Sequence, residues 1–382
     1  MVDLLSQHAQ YNGLADGEKA SVPFAPDRRT GAGLVSTAVV ERGGKVQSDH
    51  FYSLQSLNVM PSSSATHYQP LPPLDPLAAS DDELIATLTR LRDLLRWCAS
   101  ALEHGSQGRP LYFGHGTDSA WDEAVALVLG ALHLPASSGR EVLDSQLLES
   151  ERARIVALTR ARVEQRMPLP YLLGEAWFAG LLFKVDSRVL IPRSPIAELI
   201  ESGFEHWFPE RDPATVLDLC AGSGCIGIAA AMALPTSSVI LADISEDALA
   251  VARENITRFD VGNRVKAVRS DVFDGLEGQR FELIVCNPPY VDRRDLANMP
   301  AEFRHEPALA LGSGDDGLDF TRQLLRQAAQ HLSEEGVLIV EVGNSERQLI
   351  DAFPELPFMW LDFEHGGHGV FALSAEDLRS AF

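Results

Sequence analysis

The sequence predicts an α/β fold: a seven-stranded, mostly parallel sheet covered by helices on both faces, with a small helical domain ahead of it. Three observations lead there. Across the C-terminal half, apolar runs of strand length alternate with helix-length segments, the pattern of a parallel sheet buried on both faces. Two final apolar runs, 358–363 and 369–373, predict an antiparallel edge. Ahead of the sheet, leucines recur at helical spacing from Ser80 onward.

Taken in order, residues 1–79 are rich in Gly, Ser, Pro and Ala and have no sustained period, so they read as a disordered extension. Its end, 70–76, is proline-rich and resembles a stiff linker. Order is expected from Ser80, where Ser80 and Glu83 form a capping box ahead of Leu84, Leu88, Leu91, Leu95, Cys98 and Leu102 in one helix. Two more helices, over 120–132 and 147–165, complete a small helical domain spanning 80–166. Between 167 and 195 the period changes. Leu182, Phe183, Val185, Val189, Leu190 and Ile191, broken by Asp186-Ser187, predict a hairpin that ends at Pro192. From 196 to 382 follow strands over 216–220, 238–244, 264–271, 281–287 and 336–342, with helices such as 246–255 and 318–331 between them.

A chain of 382 residues with 45% hydrophobic composition can bury more than one core. No apolar run of membrane-spanning length and no secretory signal is present, so a cytoplasmic location is expected. Cys98, Cys220, Cys225 and Cys286 are scattered without paired metal-ligand spacing. They read as free thiols, no metal is expected, and Cys220 with Cys225 is a weak zinc alternative. A net charge of -22 and a pI near 4.8 argue against direct nucleic-acid binding. The acidity either draws a basic protein partner or serves solubility.

The first strand of the sheet runs into Asp218-Leu219-Cys220-Ala221-Gly222-Ser223-Gly224-Cys225-Ile226-Gly227. Small residues at Ala221, Gly222, Ser223 and Gly224 let a ligand approach the backbone. The spacing of Gly222, Gly224 and Gly227 matches a dinucleotide fingerprint, which keeps a nicotinamide dehydrogenase in view. The second strand ends at Asp243, 21 positions after Gly222, and this acid suits the ribose diol of either cofactor class. The third ends in Ser270-Asp271-Val272-Phe273, where a carboxylate can accept from an adenine amino group. Asp271 has a second reading as a helix cap or turn residue.

After the fourth strand comes Asn287-Pro288-Pro289-Tyr290. Proline fixes φ and has no N–H, and it pushes the preceding residue into extended geometry. The result is a rigid corner that can offer an amide side chain and two carbonyls to a planar NH2 group; taken alone, a plain strand-ending turn is the better reading. Glycine loop, ribose acid, adenine acid and amine holder, in that order, are the signature of S-adenosylmethionine methyltransferases. A dehydrogenase has no use for the corner.

With these residues assembled, the chain resembles the protein glutamine methyltransferases, the group that modifies release factors and a ribosomal protein. The matching pieces are PLPYLLGEAWFAGLLFKVDSRVLIPRSPIAELI, DLCAGSGCIGIAAA, LADISEDALAVARENI, RSDVF, FELIVCNPPYVD, FRHEPALAL, LIVEVGN and GGHGVFAL, within roughly 80–373. Release-factor enzymes usually carry Pro-Glu-Thr-Glu after Ile-Pro-Arg. Here Ile191-Pro192-Arg193 is followed by Ser194-Pro195-Ile196, which looks like the branch acting on large-subunit ribosomal protein L-three. Phe113-Gly114-His115-Gly116-Thr117 is similar to the same branch. The chain departs from the usual pattern at Ala221, where threonine is common, at Gly227, where alanine is common, and at His368.

The resemblance implies a class I S-adenosylmethionine-dependent methyltransferase with a Rossmann-like sheet, the methyltransferase domain spanning 196–382. It implies S-adenosyl-L-methionine held by Ala221, Gly222, Ser223, Gly224, Asp243, Asp271, Val272 and Asn287, with Asn287, Pro288 and Tyr290 as catalytic residues. Asn287, Pro288, Pro289, Tyr290, Glu306 and His115 are the implied substrate contacts, and a basic ribosomal protein is the implied partner. For Glu306 a solvated loop acid, and for His115 a packing or capping histidine, are the plainer readings. Glu341, at another carboxyl strand end, is a further candidate. Alternatives are a release-factor glutamine, an adenine amino group of DNA or RNA, and a non-catalytic ribosome-assembly module.

Overall fold

The computed structural model describes residues 74–106 and 108–382. The disordered extension and linker expected from the sequence lie, up to residue 73, outside the described residues. Order begins with a helical region of α1 (Asp81–Thr87), α2 (Leu91–His104), α3 (Ala120–Ala131), α4 (Glu149–Glu164) and α5 (Leu169–Leu173). The single helix expected from the leucine spacing is in fact two. Ser80 caps α1 by accepting from the Glu83 amide at 3.2 Å, but the chain leaves the helix at Leu88. Thr89 then accepts from the Leu147 amide at 3.0 Å, and Arg90 bridges to Gln146. The Asp93 carboxylate restarts the helix by accepting from the Arg90 amide at 3.1 Å. Leu84, Leu88, Leu91, Leu95, Cys98 and Leu102 remain buried through the break, so their period carries no trace of it.

Next comes a hairpin, β1 (Glu175–Phe178) and β2 (Leu181–Lys184), whose turn is Ala179-Gly180 rather than the expected Asp186-Ser187. Both turn residues have positive φ, +46° and +70°, as the twist of a two-residue hairpin requires. The apolar alternation at Val185, Val189 and Ile191 answers burial against Ala248 and Val251, not strand pairing. A short α6 (Ile196–Glu201) leads into the sheet.

The sheet contains β3 (Thr215–Leu219), β4 (Ser238–Asp243), β5 (Val265–Arg269), β6 (Phe281–Cys286), β7 (Leu332–Glu341), β8 (Met359–Trp360) and β9 (Val370–Ser374). Its order is β5-β4-β3-β6-β7-β9-β8. The first five are mutually parallel, and β9 runs antiparallel to both of its neighbours. Side chains alternate between faces. Val216, Val239, Leu241, Leu283 and Val285 pack under α7 (Cys225–Ala233) and α8 (Glu246–Arg258). Leu217, Leu219, Ile284 and Leu338 join a second core with Leu324, Leu325 and Ala328 of α10 (Asp319–His331), Leu349 of α11 (Glu346–Ala352) and Leu378 of α12 (Ala375–Ala381). A further short helix, α9 (Arg293–Asn298), follows the Asn287 corner.

From β3 the chain winds outward to β4 and β5, then crosses back to place β6 on the other side of β3. Open parallel sheets bind ligands outside the carboxyl ends at such a reversal. The register sets Leu219 beside Cys286, which brings the Cys220 loop and Asn287 to one edge. Among the described residues no helix is long and apolar enough to cross a membrane.

Candidate active site

Two cavities meet at Asn287. The smaller, about 230 Å³, is lined by Gly222, Asp243, Asp271, Val272, Pro289 and Phe320 among others. Its floor is a loop in which Cys220, Gly222 and Gly224 take φ of +61°, +55° and +78°. The Ala221 amide donates to Ala242 O at 3.0 Å, and the Gly222 amide donates to Asp243 Oδ2 at 2.9 Å. Asp243 Oδ1 accepts from the Ser245 amide at 2.9 Å. A carboxylate has about four acceptor sites, so two backbone donors fix this one and leave capacity for a diol. Burial pushes its carboxyl up, and the amides offset part of that.

At the third strand end, Ser270 Oγ donates to Val272 O at 2.8 Å and accepts from the Gly275 amide at 2.9 Å. Ser270 caps this turn with its side chain, and no helix begins there. Asp271 opens the turn, as one reading of the sequence had it, its carbonyl accepting from the Asp274 amide at 3.0 Å, and the exposed residue also lines the cavity. Val272 follows at φ +46°, a costly conformation for a β-branched residue. Ala221, Ser223 and Gly224 do not line the cavity; they build the loop. Ala221 and Ser223 are buried, Ser223 O accepts from Asn255 Nδ2 at 2.9 Å, and Gly224 precedes α7. A Cβ at Gly227 would lie 2.3 Å from Leu241 Cδ2 and 2.8 Å from Asp218 Cβ, so with this Leu241 the helix reaches the strand only as glycine.

The larger cavity, about 420 Å³, is lined by Tyr112, Arg193, Asn287, Pro288, Tyr290 and Phe303 among others. The corner divides between the two spaces: Pro289 faces the smaller, Pro288 and Tyr290 the larger, and Asn287 both. Asn287 Nδ2 donates to Arg193 O at 3.3 Å, which orients Oδ1 as the free acceptor. Tyr290 OH donates to Glu341 Oε1 at 2.8 Å, and Ser194 Oγ donates to Glu341 Oε2 at 2.6 Å. Glu341 is 5% exposed; burial pushes its carboxyl up despite these two donors. A Cβ at Gly343 would stand 2.6 Å from Tyr290 Cε2, so the ring can take this position only beside a glycine.

His115 and Glu306, expected to face substrate, line neither cavity. They are buried against each other, with His115 Nε2 donating to Glu306 Oε1 at 2.8 Å. Glu306 also accepts from Arg193 Nη1 at 2.9 Å and from the Ile191 amide at 3.2 Å. Burial would raise its carboxyl, but the hydrogen bond from His115 and the charge and hydrogen bond of Arg193 outweigh it and hold it below its ordinary value.

Comparison with known proteins fits this arrangement. The methyltransferase small domain family matches residues 204–314. The chain is 48% identical to the ribosomal protein uL3 glutamine methyltransferase of Francisella tularensis over 78% of this chain and 93% of that one. It is 48% identical to the protein of the same name from Xanthomonas campestris pv. campestris, over 79% of this chain and 95% of that one. The chain belongs to this glutamine methyltransferase family. It is an S-adenosylmethionine-dependent protein glutamine methyltransferase. Among solved structures, a Thermus thermophilus 16S rRNA N2 G1207 methyltransferase aligns at 21% identity and a TM-score of 0.36, over 52% of this chain and 49% of that one.

The residues of the smaller cavity fit that cofactor. Asp243 keeps acceptor capacity toward the cavity, Asp271 lines it, and the wall also carries apolar side chains such as Val189, Ala248, Leu309 and Phe320. Sequence reasoning missed Arg193, Tyr112 and Phe303. Arg193 stood inside a branch marker, yet nothing local announced that its carbonyl anchors Asn287 and its side chain lies 5.1 Å from the Phe303 centroid.

Proposed function

We propose that this methyltransferase modifies the side-chain amide nitrogen of a glutamine in ribosomal protein uL3, the protein called L-three above. The substrate named for its relatives supports the choice of protein. The observation that carries the chemistry is that Asn287 is the polar member of the wall common to both cavities, beside Leu190 and Ala310. An amide nitrogen is a poor nucleophile because its lone pair is delocalised into the carbonyl, so position decides the rate. S-adenosylmethionine, when bound, supplies an electrophilic methyl group on a sulfonium.

Asn287 Oδ1 and the Pro288 carbonyl accept the two N–H groups of the substrate glutamine and turn its nitrogen toward the smaller cavity. The Tyr290 ring, held through Glu341, packs on the flat amide. Alignment of this kind can supply about 7 to 11 kcal/mol of a barrier. The two acceptors stabilise the charge that develops on nitrogen, worth about 3 kcal/mol by analogy with preorganised donors. The product nitrogen becomes acidic as it gains that charge, so no base is needed before transfer. Asp243 and Asp271 hold the ribose and adenine ends.

Mass spectrometry of ribosomal proteins from cells with and without this protein tests the reading. A uL3 peptide that loses one methyl group in the cells lacking it is the expected result. Unchanged uL3 alongside an unmethylated release factor would move the activity to the sister branch.

A further inference from the structure

A buried frame ties the helical region to both cavities. Residues 299–312 form their outer wall: Met299, Pro300 and Phe303 line the larger, Pro307 and Leu309 the smaller, and Ala310 both. Two buried carboxylates, Glu302 and Glu306, pin this wall from behind. Glu302 accepts from the Tyr112 amide at 3.0 Å and from Arg166 Nη2 at 2.9 Å, with Arg162 Nη1 at 3.4 Å. Arg162, 1% exposed, also pairs with Glu123 of α3 and donates to Tyr112 O at 2.8 Å. Glu306 gathers His115, the Ile191 amide and Arg193. The Phe303 ring packs against Arg193, Tyr112 and His115, with the two aromatic centroids at 5.3 and 4.8 Å.

Buried charges persist only where partners surround them, and removing one partner strands the other. These pairs therefore fix the spacing between the helical region and the wall. The chain of contacts ends at the reacting group, because the residue held by Glu306, Arg193, accepts from Asn287 Nδ2 through its own carbonyl.

We propose that the helical region is a positioning frame for the reaction, with His115 and Glu306 as positioning residues. They act through Arg193 on the Asn287 amide and through the 299–312 wall on the cofactor cavity. The proposal rests on the reading above, in which Asn287 accepts from the target amide. It separates from a recognition role for His115, which would alter substrate affinity alone.

The test uses His115→Phe in the full chain, which keeps a ring against Phe303 and Tyr112 but removes the donor to Glu306. Turnover is measured with purified uL3, and cofactor affinity by calorimetry. The expected result is a kcat lower by about tenfold or more, as small misplacements of reacting groups produce, together with a weaker cofactor Kd and an unchanged KM for uL3. A folded variant with wild-type kcat and cofactor Kd overturns the proposal, whether or not KM rises or thermal stability falls. Should His115→Phe not fold, Phe303→Leu is expected to give the same joint loss, and unchanged kcat and Kd in that variant overturn the proposal equally. Wild-type protein without activity on uL3 would reject the substrate reading instead. The cofactor Kd of the variant then decides the frame by itself.

Discussion

The cavity proposed for the cofactor and the cavity proposed for the amide share Leu190, Asn287 and Ala310 and are built in opposite ways. Fixed bonds of the first join near neighbours: Gly222 to Asp243 across 21 positions, and Ser245 to Asp243 across 2. Those of the second join distant ones: Asn287 to Arg193 across 94 positions and Ser194 to Glu341 across 147, with His115 to Glu306 across 191 behind its wall. One site is shaped by backbone turns at strand ends, the other by side chains that converge only when the helical region, the hairpin linker and the sheet have packed. A cofactor with fixed shape suits the first design. A flexible protein side chain that must be held still calls for the second.

The largest effect that would sharpen this division is expected from Asn287→Ala. Losing the acceptor should cut methyl transfer by about 10²–10³-fold, the scale of removing one preorganised polar group from an active site. Cofactor affinity should stay within a few-fold, because Asp243 and Asp271, the acids proposed for the ribose and adenine, are untouched. Labelled-methyl turnover on uL3 and calorimetry read the two quantities, and wild-type turnover would end the amide-holder assignment. The converse substitution is Asp243→Ala. Removing a charged acceptor should weaken cofactor binding by about 1.5 to 3 kcal/mol, with turnover at saturating cofactor preserved. A calorimetric Kd equal to wild type would take Asp243 out of the site.

Legibility followed the same division. Gly222, Asp243 and Asp271 could be found because strand ends and turns are written in adjacent residues, and the Asn287 corner because two prolines constrain it locally. The leucine period located α1 and α2 but not the break between them, since Thr89 and Arg90 turn aside to pair with Leu147 and Gln146. The hairpin turn was misplaced because burial of Val185, Val189 and Ile191 imitates strand alternation. His115 and Glu306 were noticed as residues but not as a pair, because nothing in either neighbourhood points to the other. Arg193 went unremarked because its task is divided between a carbonyl that holds Asn287 and a guanidinium that holds Glu306.

A smaller effect within the amide cavity is expected from Tyr290→Phe. The ring stays and one hydrogen bond to Glu341 goes, a loss of about 1.5 to 3 kcal/mol for a charged acceptor. Part of that should be recovered because Glu341, whose carboxyl burial already pushes up, can take a proton. Turnover should therefore fall by less than in Asn287→Ala, with cofactor affinity unchanged. A change confined to cofactor Kd would place Tyr290 on the wrong side of the division.

Asp218 offers the finest test, because it belongs to the cofactor side by position yet does not line the cavity. It is fully buried, its Oδ2 accepts from the Gly227 amide at 2.7 Å, and its Oδ1 has no partner among the described residues. Burial pushes its carboxyl from 3.8 to about 7, against the Gly227 amide, which lowers it. The folded protein therefore keeps this proton to higher pH than the unfolded chain does. Between about pH 4 and pH 7 the native state binds more protons at this site, so its contribution to stability declines as pH rises, by at most about 1.4 kcal/mol per unit. Glu302 and Glu306 have lowered values, and their contributions are lost only in more acid solution, below the ordinary 4.5. Asp218→Asn abolishes the titration, and comparison with it cancels the other carboxylates. Urea unfolding at pH 5 and pH 7 should show wild type losing about 1 to 2 kcal/mol relative to the variant, while the KM for uL3 stays constant. Parallel pH profiles would mean that Asp218 does not carry a raised carboxyl value in the fold.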